Sequence, residues 1–274
     1  VVAVIDYSTP GPLTSLEGVS TEALATVGHD PVEICAPVHA LVIQPSGAET
    51  LGLAPERFVT NQIRPAAKLI EALLSLDPAP LSTPRQPDKR VVGTCRHFAV
   101  ISCALLRHRG VPSRVRCGFA SYFQPDQALD HWITEYWSTS GGRWVRLDSE
   151  ILGEDVLAQP EDLRPGAFLS GGEAWTAFRR GDIDAATFGV YGTDNWGPAE
   201  IRGKAVKDLA ALNKVETLPW DEWGHMTAAY RGETGPDYDG LLDTLAAVCA
   251  ADDPVEVARL YDHDRLRVPA DLIG

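Results

Sequence analysis

Between Gly93 and Glu150 the chain changes from a helical to an extended period, and that switch restricts its fold more than any other feature. From Cys95 to about Arg109, the residues Phe98, Ile101, Ser102, Leu105 and Leu106 recur on one face at helical spacing. Gly110 and Pro112 follow as the usual C-terminal punctuation of a helix. Ser113 to Tyr122 then alternates Arg114 and Arg116 with Val115, Cys117 and Phe119, as a strand with two unlike faces does. Asp130 to Trp137 and Arg143 to Asp148 are rich in aromatic and β-branched residues, with Gly141-Gly142 between them, and predict a hairpin.

The flanks are more broken. Short apolar runs at Val1–Ile5 and Val38–Ile43, separated by Pro and Gly, predict strands or loops. Ile63, Ala66, Ala67, Ile70, Leu73 and Leu74 predict a helix within Phe58 to Leu76, stopped by Asp77-Pro78. A proline-rich connector, Pro78 to Lys89, follows. Beyond Glu150, Pro160 to Gly172 reads as irregular. Helices are expected over Glu173–Arg180, Lys204–Asn213, Leu241–Ala250 and Val255–Tyr261, the last opened by Asp253-Pro254. The expected organisation is a mostly helical region over 1–90, a core over 91–152 and a C-terminal cover over 153–274, folding as one compact unit.

The chemistry concentrates in the same stretch. A thiol serves as a nucleophile only when ionised, and needs a base and a site that tolerates its charge. Cys95 stands at the predicted start of a helix, where free N–H groups and the macrodipole favour a thiolate and can later hold an oxyanion. Arg96 and His97 add positive potential. Cys103 lies in the apolar middle of that helix and Cys117 within a strand, so neither has this advantage. Taken alone, Cys95 would more often be a small buried thiol and His131 a core histidine; it is their conjunction that matters.

If Ser138 to Gly141 form the hairpin loop, Trp137 faces Gly142 and His131 stands directly opposite Asp148. Opposed Cβ atoms lie about 4.5–5.5 Å apart, close enough for a carboxylate to hold an imidazole by one nitrogen and leave the other for a thiolate. A register shift of two would put Glu150 there instead. Asp148 is the preferred orienter and Glu150 the reserve; Asp148 could equally cap a turn.

The motifs Gly93-Thr94-Cys95-Arg96, Asp130-His131-Trp132 with Glu135-Tyr136-Trp137, and Trp144-Val145-Arg146-Leu147-Asp148 resemble the transglutaminase-like superfamily. The order Cys, His, Asp and the steps from 95 to 131 to 148 are similar to that family's. Thr94 stands where many relatives carry Gln, and Arg96 where many carry Trp. The resemblance implies an α+β, papain-like core in which a nucleophile helix packs on an antiparallel sheet, with helical N- and C-terminal additions here. It implies a Cys95–His131–Asp148 triad and a thioester acyl-enzyme, resolved by an amine or by water. The expected donor is a small-molecule or peptidic acyl compound. A cysteine peptidase or amidase is the nearest alternative, and a non-catalytic binding or scaffold protein keeping the fold is another.

Composition removes competing classes. The 38 acidic against 24 basic residues leave a net charge of −14, which opposes a phosphate backbone or an anionic membrane, so neither nucleic acid nor membrane is an expected partner. Five widely spaced cysteines without a CxxC pair do not form a disulfide framework, and no signal-like or membrane-spanning segment stands out, so a cytoplasmic location is expected. The seven histidines are scattered and neither GxGxxG nor GxxxxGK[ST] occurs, so no cofactor and no metal are expected. Arg107, Arg109, Arg114 and Arg116 form one basic cluster, more readily an ion-pair network than a phosphate clamp. Thr94, Arg96, Trp132, Glu150, Trp220 and Asp221 are the candidates to line a substrate pocket. Asp221 and Glu222, in an aromatic-rich segment, offer negative charge to an amine, although such a segment is more often a packed loop.

Overall fold

The computed structural model describes residues 4–273; of the apolar run Val1–Ile5, residues 1–3 lie outside the described residues. The elements run α1 (Thr21–Ala25), α2 (Pro31–Cys35), β1 (Val42–Ile43), α3 (Pro45–Thr50), α4 (Ala66–Leu76), β2 (Val91–Val92), α5 (Cys95–His108), β3 (Ser113–Ala120), β4 (Ala128–Ser138) and β5 (Arg143–Leu147). There follow β6 (Phe168–Ser170), α6 (Gly171–Arg180), β7 (Phe188–Gly189), α7 (Pro198–Leu212), α8 (Met226–Tyr230), α9 (Pro236–Ala251), α10 (Pro254–Tyr261) and α11 (Ala270–Ile273). The class is α+β, an antiparallel sheet packed against helices, as expected.

The chain divides into two compact units, an N-terminal one of residues 6–115 and 133–163, and a C-terminal one that takes 116–132 and 164–273 with residues 4–5. Strands β3 and β4 each contribute residues to both.

In the N-terminal unit, α5 is the central element: every residue from Cys95 to Arg107 is buried. Its apolar side chains Phe98, Ile101, Leu105 and Leu106 pack with Leu69, Ile70 and Leu73 of α4 and with Ile34 and Cys35 of α2 in one core cluster. Truncating one such leucine to alanine typically costs about 2–5 kcal/mol. On another side of α5, the Thr134 hydroxyl of β4 donates to the Ala99 carbonyl at 3.0 Å, fastening helix to strand. Val42 and Ile43 pair in parallel with Val91 and Val92. The expected helix over 58–76 is divided: residues Pro55–Gln62 form 3₁₀ turns and α4 begins only after Pro65. Pro65 has no N–H to give and biases Arg64 away from the helical region, so the helix cannot run through it.

The hairpin forms, but with a different register. Trp137 pairs with Trp144 and Ser138 with Arg143, so the loop is residues 139–142 and not 138–141. Gly142 has φ +61°, a conformation a strand residue does not adopt, and its N–H donates to the Ser138 carbonyl at 2.8 Å. The indoles of Trp137 and Trp144 meet edge-on at 5.5 Å, locking the choice. The last paired residues are Thr134 and Leu147, leaving Asp148 beyond the ladder. The expectation that cross-strand pairing sets Asp148 directly opposite His131 is therefore corrected by a shift of two.

In the C-terminal unit, β3 pairs antiparallel with β6 and β4 pairs parallel with β7. The segment 160–172, expected to be irregular, supplies β6 and the start of α6. Ser170 and Glu173 form a reciprocal capping box at that start, and Gly181 ends α6 in the left-handed conformation. Helix α6 crosses α7 so closely that a Cβ on Gly171 would fall 2.1 Å from the Lys204 carbonyl oxygen. Asp253 caps α10, with Pro254 at its first turn, as expected. Among the described residues no helix is long and apolar enough to cross a membrane.

Candidate active site

Cys95 is the first residue of α5, and its start is tightly determined. Thr94 is the N-cap; its amide donates to Nδ1 of His97 at 3.0 Å, half of a capping box with histidine in the third position. His97 is wholly enclosed, and burial, reinforced by the Arg96 charge beside it, pushes its imidazole down to about 3. It is thus a neutral structural group rather than a source of positive potential. Arg96 is also fully buried, within reach of the Ile63 carbonyl. The Cys95 residue itself is 7% exposed, at a helix end whose free N–H groups favour negative charge.

The other thiols lack that setting. Burial pushes Cys35 up to about 12 and raises Cys117 well above the ordinary thiol value. Cys103 is fully buried in mid-helix.

The loop after β5 brings a carboxylate close to Cys95 within the N-terminal unit. The Cys95 sulfur and a Glu150 carboxylate oxygen lie within 4.8 Å of each other. Glu150 is held at three points. Its Oε1 accepts from the Gln44 side-chain amide at 2.7 Å, its main-chain N–H donates to Asp148 Oδ1 at 3.0 Å, and its carbonyl accepts from Nδ1 of His39. The other His39 nitrogen meets Glu154 at 3.0 Å. Asp148 is fully buried, and its own N–H donates to the Pro160 carbonyl at 2.8 Å. Gln44 and His39 carried no sequence signal, because their partner lies more than a hundred residues away.

In the C-terminal unit His131 is buried on β4, with the rings of Phe123 and Tyr122 edge-on to it at 4.9 and 6.0 Å. Its neighbour Asp130 pairs with Lys204 at 2.8 Å. Burial pulls the Lys204 ammonium down, but Asp130 and Glu200 outweigh it and hold it well above its usual value. Trp132 is packed inside. In the aromatic segment, Trp220 is 43% exposed, whereas Asp221 is buried with its carboxylate accepting from the Leu218 N–H at 2.7 Å. The basic cluster resolves into structural contacts. Arg114 pairs with Glu135, Arg116 with Asp208, and Arg107 and Arg109 donate to main-chain carbonyls.

Residues 75–149 match the family model of the transglutaminase-like superfamily core, a stretch that contains Cys95, His131 and Asp148. The chain carries a transglutaminase-like domain. Among solved structures, a proposed cysteine protease from Cytophaga hutchinsonii is similar to the chain at 16% sequence identity, with a TM-score of 0.36 over 60% of this chain. The chain spans 45% of the length of that structure. No curated protein matches it.

Proposed function

We propose that the chain is a transglutaminase-like cysteine enzyme in which Cys95, His131 and Asp148 act as a triad on a small-molecule or peptidic acyl donor. The observation that carries this reading is the position of Cys95, opening a buried helix inside the stretch that matches the superfamily. Its low exposure fits a narrow entrance, and the helix start supplies N–H groups for an oxyanion.

In this mechanism His131 takes the Cys95 proton, and the thiolate adds to an amide, ester or thioester carbonyl. The tetrahedral oxyanion collapses, the leaving group departs with the proton from His131, and the acyl group stays on sulfur. An amine or water then attacks the thioester. The C–S bond breaks and the thiolate regains a proton through His131. Asp148 holds the ring nitrogen turned away from sulfur. Such a relay places the orienting oxygen roughly 6–8 Å from the sulfur, the sum of two hydrogen bonds and the ring. Glu150, whose carboxylate lies within 4.8 Å of the sulfur, is kept as the reserve orienter.

The test is alkylation by iodoacetamide across pH, followed by mass spectrometry of the labelled peptides. Cys95 should label selectively well below pH 8, and His131→Ala should raise the pH required. A profile unchanged by that substitution would leave a scaffold that has kept the fold.

A further inference from the structure

We propose that the C-terminal unit holds a second binding site, a cleft at the start of α9 that takes a free α-amino acid. Its existence does not depend on the acyl-transfer reading. The cleft encloses about 210 Å³ among residues 225–265. Sites for drug-sized ligands run to roughly 300–1,000 Å³, so this one suits a single small metabolite. Gly235 is the N-cap of α9; no side chain caps the helix there, and a Cβ on Gly235 would meet nothing within 4 Å. Such a start draws negative charge, as any uncapped helix does. Tyr238 sets this one apart. It lines the cleft while only 3% exposed, and among the described residues its hydroxyl meets no donor or acceptor. Burial pushes the phenol up to about 12, so at neutral pH the hydroxyl keeps its proton and donates it to a ligand oxygen.

The charges around the cleft choose the ligand. Arg265, Glu233 and Asp237 share its lining, yet among the described residues no ion pair joins the guanidinium to either carboxylate. Opposite charges thus stand in one small space, beyond the about 4 Å at which they would pair. A plain anion would gain Arg265 and the helix start but meet two carboxylates, and a plain cation would meet the reverse. An α-amino acid satisfies both signs. Its carboxylate takes Arg265, the Tyr238 hydroxyl and the free N–H groups of α9, and its ammonium takes Glu233 and Asp237. The His225 and Tyr238 rings, 5.0 Å apart, offer its side chain an aromatic wall.

The lining is held by its neighbours. A Cβ on Gly224, which has φ +59°, would fall 2.4 Å from the Arg265 carbonyl oxygen, so the stretch before His225 lies directly against the one that carries Arg265. The Trp223 indole N–H donates to the Leu266 carbonyl at 2.9 Å, and both residues are buried. Arg202 of α7 grips Asp239, next to Tyr238, through bonds of 2.9 and 3.1 Å. Opposed charges fixed on packed supports cannot collapse onto each other, which leaves them for a ligand.

The experiment is isothermal titration calorimetry of the full chain at pH 7 with each proteinogenic L-amino acid. At least one should bind. For the tightest, the primary amide, which lacks the carboxylate, and the N-acetyl compound, which lacks the ammonium, should each bind at least about fivefold more weakly. Arg265→Gln and Tyr238→Phe should each weaken the amino acid at least about threefold. Urea unfolding without ligand should leave the exposed-site variant Arg265→Gln as stable as the parent, so that its loss is one of binding and not of fold. Cys95→Ala should bind the amino acid as the parent does. No binding by any amino acid would overturn the proposal, as would a smaller loss in either derivative or unchanged binding in either cleft variant. Binding lost in Cys95→Ala would move the ligand to the thiol site and overturn it as well. Selective alkylation of Cys95 should be indifferent to Arg265→Gln, so the triad and this site stand or fall separately.

Discussion

The Thr94 amide donates to Nδ1 of His97, so the helix that presents Cys95 is closed at its start by a buried histidine that must be neutral to accept that bond. The unfolded chain protonates His97 near pH 6.5, whereas the folded protein resists until about 3. Above pH 6.5 neither state binds the proton and the stability is intact. As the pH falls from there toward 3, the unfolded state gains a proton that the folded state refuses. Urea unfolding should show this contribution lost at up to about 1.4 kcal/mol per pH unit. His97→Gln, which keeps an acceptor in the capping position, should flatten that part of the profile.

The five cysteines should separate under limiting iodoacetamide at neutral pH. Cys35, pushed up to about 12, and Cys117, raised by burial, should remain unlabelled until the protein is denatured. Peptide mapping that finds these two labelled as fast as Cys95 would contradict the assignment of Cys95 as the reactive thiol.

Glu135 bridges two arginines of neighbouring strands, Arg114 at 2.6 Å and Arg146 at 2.9 Å, with Arg114 lying over the Trp144 ring. Glu135→Gln keeps the shape but removes the negative charge that both arginines face, one of them buried. A loss of about 3 kcal/mol in chemical denaturation is expected, far more than for Arg143→Ala, whose pair with Asp162 is exposed.

Two glycine substitutions should act in opposite directions. A Cβ on Gly118 would sit 2.0 Å from the Leu169 carbonyl oxygen, so Gly118→Ala must part β3 from β6 and should cost about 2 kcal/mol. A Cβ on Gly203, inside α7, meets nothing within 4 Å, so Gly203→Ala should stabilise by up to about 1 kcal/mol. Thermal unfolding of the two variants checks both signs.

The elements nearest the candidate site were legible because their signals are local. The span of α5 follows from its apolar face, Thr94 and Gly110, and the hairpin from its aromatic run. The hairpin register was not legible, because Gly141-Gly142 marks a turn without saying which glycine takes the positive φ. The indole pair of Trp137 and Trp144 decides that, and it is a tertiary fact. The supports of Glu150 were hidden for a similar reason. Gln44 and His39 belong to short turns whose sequence specifies a bend but not what the bend will touch.

That β3 and β4 each serve two units has a consequence during synthesis. A nascent chain that has emerged to Leu163 already holds all of the N-terminal unit. It also trails 116–132, in which Gly118–Ala120 and Ala128–Leu129 still await β6 and β7. Until those later residues leave the ribosome, two apolar strand margins stand bare to any neighbouring chain. A version shortened after Leu163 would keep them bare permanently, and is expected to collect in the insoluble fraction.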